Sequence, residues 1–249
     1  MIICLFSCLY IAIVCVFERK PPALKDNAYI VIFVSFKMIK VNEIYYSIQG
    51  ESTKAGLPCV FIRLTYCNLR CSYCDTEYAF HEGYDADIAQ IIDEVKKYDC
   101  KLVELTGGEP LFQKESIELM HRLCNEGFEV MLETGGSLSI KDVDKRVKVI
   151  LDFKCPSSGM TKKNLYENAD LLKPEDEVKF VIGSREDYDW SKEIINKYEL
   201  HNKCEVLFSA VFGKITPETI VNWILEDNLK VRFQLQMHKF IWEPMKRGV

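Results

Sequence analysis

Cys59-Val60-Phe61-Ile62-Arg63-Leu64-Thr65-Tyr66-Cys67-Asn68-Leu69-Arg70-Cys71-Ser72-Tyr73-Cys74-Asp75-Thr76 is a strand that empties into a loop of chemistry-bearing side chains. Residues 59–64 are rich in β-formers. The loop that follows places three cysteines within eight residues. Loops of this kind at the carboxyl ends of strands are where parallel α/β proteins gather their ligands. Downstream, the alternation continues. Residues 85–98 carry Ile88, Ile91, Ile92 and Val95 at helical spacing, with Asp85 as the expected N-cap. Strands are predicted over 101–105, 128–132, 147–153, 177–182, 204–210 and 231–236. Helices are predicted over 115–125, 188–198 and 217–226, with Gly127 stopping the first and Pro217 in the first turn of the last. Strand–helix alternation means parallel strands joined by crossover helices, in an open doubly wound sheet or a partial barrel. The polar residues collect at strand ends: 63–75, 106–110, 133–136, 152–154 and 209–213.

The chain has 249 residues, 48% of them hydrophobic, enough for one large core. A formal net charge of −5 gives no electrostatic footprint for nucleic acid, and none is expected as a partner. Eleven cysteines, an odd number spread over a long chain, do not form a disulfide framework. Cys59, Cys100, Cys124 and Cys204 lie in apolar runs and read as small hydrophobes.

The first 37 residues differ from the rest. Residues 1–17 are apolar and uncharged, then Glu18-Arg19-Lys20 and Pro21-Pro22 follow. Seventeen residues is at the lower limit of a membrane span, and the run lacks the basic start of a secretory signal. Met38-Ile39-Lys40-Val41 reads like an ordinary protein start. The favoured reading is therefore an N-terminal extension over 1–37, outside the true protein, ahead of a catalytic domain over 38–249. A membrane anchor and a targeting peptide are the alternatives.

Cys67, Cys71 and Cys74 are set among Asn68, Arg70, Ser72 and Asp75, a polar loop rather than a core. Iron–sulfur cubanes are held by thiolates, four for full ligation. Three leave one iron open, which makes a centre reactive rather than only electron-carrying. A structural zinc site needs a closed set of four; His81 is the one nearby candidate, with no second Cys or His pair at ribbon spacing.

The C-x3-C-x2-C spacing resembles the signature of radical S-adenosylmethionine (SAM) enzymes. Around it stand Ile48-Gln49-Gly50-Glu51, Cys74-Asp75-Thr76, Thr106-Gly107-Gly108-Glu109-Pro110, Glu133-Thr134-Gly135-Gly136, Asp152-Phe153-Lys154 and Gln236-Met237-His238-Lys239, with Pro244 beyond. Together, from about Met38 to the end, they resemble the 7-carboxy-7-deazaguanine synthase family. The resemblance implies an incomplete (β/α) barrel of the TIM-like type. It implies a lyase that converts 6-carboxy-5,6,7,8-tetrahydropterin to 7-carboxy-7-deazaguanine and ammonia, in queuosine and deazapurine synthesis. Its cofactors would be a [4Fe–4S] cluster on the three cysteines, SAM, and Mg²⁺ on Thr76. SAM would lie against Tyr73, Cys74, Asp75, Gly108, Glu109, Asp152, Phe153, Lys154, Ser209, Ala210, Val211 and Phe212. The pterin would lie against Ile48, Gln49, Gly50, Glu51, Arg63, Thr106, Glu133, His238 and Pro244. The resemblance further implies a cytoplasmic homodimer fed by flavodoxin or ferredoxin. The other readings are a radical activase acting on a partner protein and a zinc-stabilised interaction module.

The physical chemistry of these residues is compatible. An amide beside a carboxylate, as in Gln49 and Glu51, matches a donor–acceptor edge. Arg63 inside an apolar strand requires an anion, from a substrate or from an internal salt bridge. The sequence departs from the commonest family pattern at Gly135, where Asn is frequent, at Asp152-Phe153-Lys154, where Ser-Pro-Lys is frequent, and at Ser209-Ala210, where Gln-Pro is frequent. Residues 245–249 run beyond Pro244. Because every motif follows Met38, a variant lacking residues 1–37 is expected to stay folded and fully active. Thermal unfolding and turnover compared with the full chain check this; an insoluble or inactive variant beside an active full chain refutes it.

Overall fold

The computed structural model describes residues 4–7, 10–13, 32–34 and 38–249. Its contacts divide the chain into Met1–Met38 and Ile39–Val249. In the first unit, β1 (Cys4–Ser7) pairs antiparallel with β2 (Tyr10–Ile13), and β2 with β3 (Ile32–Val34). The readings of the opening run as anchor, targeting peptide or upstream start fall largely outside the described residues. Among the described residues no helix is long and apolar enough to cross a membrane.

The second unit opens with the antiparallel pair β4 (Met38–Ile48) and β5 (Pro58–Leu64). The cysteine loop leads to β6 (Tyr84–Asp87) and α1 (Ile88–Val95). Then come β7 (Leu102–Gly107), α2 (Glu115–Asn125), β8 (Glu129–Thr134), β9 (Lys148–Asp152) and β10 (Glu177–Ile182). The chain closes with α3 (Arg185–Lys197), β11 (Glu205–Ala210), α4 (Pro217–Glu226), β12 (Arg232–Phe233) and α5 (His238–Ile241). The nine strands lie in the order β12-β11-β10-β9-β8-β7-β5-β4-β6. All neighbours from β5 to β12 are parallel. The sheet is open at β12 and β6, an incomplete barrel as the sequence implied.

Some boundaries differ from expectation. The cap of α1 is Asp87, not Asp85: Asp87 accepts from Gln90 N at 2.9 Å and Gln90 Oε1 accepts from Asp87 N at 2.9 Å. That reciprocal pair satisfies two orphan donors, and it frees 84–87 for the edge strand. α3 starts at Arg185 because Ser184 caps it, accepting from Asp187 N at 3.1 Å. The crossover from β9 to β10 contains only 3₁₀ turns, among them Pro156–Ser158 and Tyr166–Asp170. The last strand shrinks to two residues. Gln234 N still reaches Phe208 O at 2.9 Å, but its side chain already accepts from Ser52 N at 2.7 Å. From there the chain leaves the sheet, and Met237 N donates to Gly50 O at 3.0 Å. Residues 234–238 thus staple the β12 end to the turn after β4.

Strand alternation sorts the side chains. Val60, Ile62, Leu64, Val103, Leu105, Val130 and Leu132 pack outward on Ile88, Ile91, Ile92 and Val95 of α1 and Leu119, Met120 and Leu123 of α2. Val178, Phe180, Ile182, Val206 and Phe208 do the same with Tyr188, Ile194 and Ile195 of α3 and Ile220 and Ile224 of α4. The intervening positions Cys59, Phe61, Leu102, Met131 and Ile150 form a separate inner plug. Above it lies a polar layer: Glu104 on β7, Glu133 on β8, Asp152 on β9 and Lys179 on β10.

Lys179 is the hub of that layer. Its Nζ lies 3.0 Å from Glu51 Oε2 and 3.8 Å from Asp152 Oδ2, and it bonds Glu133. Lys154 Nζ meets Asp152 Oδ2 at 2.8 Å. Burial alone would discharge the Lys179 ammonium; Glu133, Glu51 and Asp152 hold it well above its usual range instead. Burial likewise pushes the Glu133 carboxyl up, and Lys179 reverses this to below the usual range. Removing one partner of a buried network strands the others. Lys179→Met is therefore expected to cost about 3–5 kcal/mol near neutral pH in urea unfolding. The sign of its pH dependence follows from linkage. In the wild type the depressed Glu133 gives stability that is present above the ordinary Glu value and lost on acidification through the folded value. In the variant the stranded carboxyls keep protons that the unfolded chain releases, so its stability rises as pH falls. The gap between the two proteins should narrow toward about pH 5. A pH-independent gap would show that Lys179 does not neutralise this layer.

Candidate active site

One cavity opens at the carboxyl ends of the parallel strands, with Cys67, Cys71 and Cys74 in its wall. The cysteine loop starts at Tyr66, whose φ of 76° is costly for a residue with a side chain. Surrounding contacts impose that turn: Tyr66 N donates to Ala79 O and Tyr66 O accepts from Glu109 N, both at 2.8 Å. Gly108 makes the fit feasible, since a Cβ there would stand 2.3 Å from Tyr66 O and 2.7 Å from Cys67 Cβ. The far side is held by Ser72, whose N donates to Ser158 O at 3.0 Å and whose Oγ donates to Ser157 O at 2.6 Å. Asn68 Nδ2 donates to Ser137 Oγ at 3.1 Å. Burial pushes the Cys71 thiol up to about 11. Free thiolates are thus disfavoured here, and a metal centre would have to displace the protons. Among the described residues no three His, Cys, Asp or Glu side chains are close enough to share one metal ion. The zinc reading, with His81 as a ligand, finds no ligand set among them.

Beyond the cysteines, Tyr73 Oη, Asp152 Oδ1 and Ser209 Oγ are among the buried polar atoms without a partner. Each such atom costs about 1–3 kcal/mol unless something completes it. Tyr73 and Asp152 both line the cavity, and Ser209 is on the inward face of β11. A ligand rich in polar groups, such as a nucleoside joined to an amino acid, fits this wall. Glu109, by contrast, is complete. It accepts from Thr134 Oγ1 at 2.9 Å, Gly135 N at 2.8 Å and Leu111 N at 3.1 Å, and is fully buried. It ties two strand-end loops together and is not part of the cavity wall.

On the opposite wall, Gly50 is approached by His238. A Cβ at Gly50 would lie 2.7 Å from His238 Nδ1, so only glycine lets α5 close over the turn. Gln49 Oε1 accepts from Glu51 N at 2.8 Å, and Gln236 Nε2 donates to Glu51 Oε1 at 2.9 Å. Arg63 lines the cavity with an internal counter-ion: its Nε meets Glu43 Oε1 at 2.8 Å and its Nη2 donates to Tyr45 Oη at 2.8 Å. Burial would push the Asp75 carboxyl up, but Lys239 at 2.6 Å overrides this and holds it below the usual range. The Thr76 hydroxyl makes no capping bond to the turn that follows; its Oγ1 lies 3.8 Å from Cys74 Sγ and it lines the cavity. The tail also contributes, with Pro244, Met245, Lys246, Gly248 and Val249 lining the mouth. Arg247 stacks 3.7 Å over the Tyr78 ring and meets Glu82 at 2.8 Å.

Of the sequence-derived site residues, Ile48, Gln49, Gly50, Glu51, Arg63, Thr106, Glu133, His238 and Pro244 all line this cavity. So do Tyr73, Cys74, Asp75, Thr76, Gly108, Asp152, Lys154, Val211 and Phe212. Glu109, Phe153, Ser209 and Ala210 do not. Phe153 falls on the outward face of its strand, packed 5.5 Å from Tyr166 and 6.1 Å from Phe180. Ala210 likewise packs outward on the core around α3 and α4. Sequence reading passed over Glu104, Lys179, Gln236 and Lys239. For the first two the signal was the alternation itself, a charged residue at an inward position of Val103-Glu104-Leu105 and Val178-Lys179-Phe180.

Comparison with known proteins is consistent with this arrangement. The Radical SAM superfamily profile matches residues 61–225. The 7-carboxy-7-deazaguanine synthase of Koribacter versatilis is 44% identical over 226 residues, covering 85% of this chain and 100% of its own length. That of Chlorobaculum tepidum is 45% identical over 214 residues, covering 85% of this chain and 97% of its own. The crystal structure of QueE from Escherichia coli shares the fold with a TM-score of 0.69, at 19% identity, over 81% of this chain and 95% of that one. A [4Fe–4S] cluster and SAM are the cofactors that go with this superfamily. With its three cysteines in the wall of an open-barrel cavity, the chain belongs to the 7-carboxy-7-deazaguanine synthase family of radical SAM enzymes.

Proposed function

We propose that this chain, through residues 38–249, converts 6-carboxy-5,6,7,8-tetrahydropterin to 7-carboxy-7-deazaguanine with release of ammonia. The observation that carries the reading is a single cavity joining three cluster-type cysteines to a wall of Gln49, Glu51 and Glu133. Bound SAM on the cluster supplies abstraction and return of a hydrogen atom. The chain's own residues bind and orient. Cys67, Cys71 and Cys74 would hold the cluster, three thiolates where full ligation takes four. Tyr73 and Asp152 offer their unpartnered polar atoms to SAM, with Asp75, Gly108, Lys154, Val211 and Phe212 around it; Ser209 backs that wall from β11, and Glu109 acts indirectly by holding the Thr134–Gly135 loop.

Gln49 and the carboxylates of Glu51 and Glu133 face the pyrimidine edge of the pterin. Arg63 and His238 face its carboxylate side, and Arg63 keeps Glu43 as the anion it holds between turnovers. Thr76 would offer Mg²⁺ one hard oxygen, the kind of ligand this ion takes. The contacts of Gln49, Glu51, Glu133, Arg63 and His238 orient the pterin for reaction, and the plug below and the tail above exclude water. A one-electron donor of the flavodoxin or ferredoxin kind is the partner, and the enzyme acts as a cytoplasmic homodimer.

Two results test this. Cys71→Ala is expected to abolish the brown cluster and SAM cleavage. Cys124→Ala, a half-buried thiol packed on the outer core, should keep both and lose only packing stability. Iron and sulfide content with visible spectra decide, and a full cubane in Cys71→Ala would sink the assignment. The reaction loses only ammonia, so it consumes no oxidant and the abstracted hydrogen returns. Deuterium placed at C6 of the pterin should appear at the 5′ carbon of recovered SAM by mass spectrometry. Consumption of one SAM per turnover with the pterin unchanged would refute the lyase reading.

A further inference from the structure

Glu104 stands on the inward face of β7, two residues before Thr106. It lines the cavity although only 2% of its surface is exposed. Its carboxyl faces two groups assigned above to the pterin. Gln49 Nε2 donates to Glu104 Oε2, and Glu133, on the neighbouring strand β8, shares the cavity wall with Glu104. The other end of the Gln49 amide is committed to Glu51 N at 2.8 Å. A carboxamide can sit either way round unless its partners decide. Here the Glu51 N–H demands an acceptor and Glu104 takes the donor.

Charge balance gives Glu104 a further property. The polar layer holds four carboxyls, on Glu51, Glu104, Glu133 and Asp152, and two ammonium groups, on Lys154 and Lys179. Lys179 reaches Glu51, Glu133 and Asp152, and Lys154 reaches Asp152; neither has a contact within 4 Å of Glu104. A buried carboxylate without a counter-ion takes up a proton instead. The Glu133 carboxylate on the next strand adds a like charge that further disfavours ionisation of Glu104. The other titratable groups facing Glu104 are Tyr45 from β4 and Cys59 from β5, and burial holds both protonated. Burial, reinforced by Glu133, pushes the Glu104 carboxyl well above the usual range.

We propose that Glu104 is a positioning residue for the pterin: buried without a counter-ion, its carboxyl fixes the sense of the Gln49 amide. The inference rests on the pterin reading of this cavity. With Glu104 in place, the site presents one Gln49 N–H as a donor and the Glu51 and Glu133 carboxylates as acceptors. That pattern matches a 2-amino-4-oxopyrimidine edge, which offers one carbonyl and adjacent N–H groups.

The test compares wild-type, Glu104→Leu and Glu104→Gln proteins, each with reconstituted cluster. Glu104→Leu should raise the KM for the carboxy-tetrahydropterin about tenfold or more, while the Kd for SAM stays within about twofold. Glu104→Gln, permanently neutral and still able to accept from Gln49, should restore most of the lost affinity. A second readout needs no substrate. The wild-type fold keeps a proton that the unfolded chain releases above about pH 4.3, so its Tm should fall relative to Glu104→Gln as pH rises. An unchanged KM in Glu104→Leu, or a Glu104→Gln as impaired as the Leu variant, overturns the proposal. So do parallel Tm profiles, which also decide the matter if Glu104→Leu fails to fold. A wild type inert toward the pterin would instead sink the functional reading, with the Tm profiles still reporting on the proton that Glu104 keeps.

Discussion

The buried ammonium of Lys179 is the interaction on which the rest of the site depends. An open barrel with a polar interior has to hold several carboxylates away from water, and charge burial without compensation is among the costliest things a fold can do. One cation placed among Glu51, Glu133 and Asp152 solves this from the centre. It also ties four separate elements together, the turn after β4 and strands β8, β9 and β10. The apolar plug of Phe61, Leu102, Met131 and Ile150 lies on the inner face below it and keeps the dielectric low. Charge and packing therefore constrain each other: the plug makes the charges expensive, and the charges make the geometry specific.

The two halves of the cavity are built on different principles. The cysteine side is a loop forced into shape by backbone contacts, with Tyr66 in a disfavoured conformation and Gly108 giving it room. Its polar atoms are left incomplete at Tyr73, Asp152 and Ser209. The opposite side is a network in which almost every donor and acceptor is already matched. The first half gains its order from what it binds. The second is preorganised, as catalysis by positioning requires.

Much of this was legible in the chain. The C-x3-C-x2-C loop, the strand ends and the helices at 115–125 and 217–226 are local signals, and local signals survive folding. The α1 cap was misplaced by two residues because Asp85 and Asp87 offer the same side chain, and only Gln90 three residues on distinguishes Asp87. Phe153 was read as a ligand contact from its place in a motif, whereas strand alternation turns it away from the cavity. Arg63 demanded an anion, and sequence could not say that Glu43, twenty residues earlier, provides one across an antiparallel pair. Glu104 and Lys179 were hidden for a related reason. Their partners come from other strands, and nothing in a linear reading brings a Glu on β7 and a Lys on β10 to one layer.

The staple of residues 234–238 across the barrel mouth has a kinetic side. Ser52 meets Gln234 and Glu51 meets Gln236 over separations of 182 and 185 residues, nearly the span of the catalytic body. Such contacts form after the entropy of closing a very long loop has been overcome. The cysteine loop, by contrast, is held by β5, β7 and contacts that reach no further along the chain than Ser157, Ser158 and Met160. During synthesis from the N-terminus, a ribosome-bound chain would hold its metal-binding loop long before the wall opposite exists. The cluster pocket can thus be assembled while the place for the pterin is still missing, and a segment translated long after the cysteine loop completes the substrate side of the cavity.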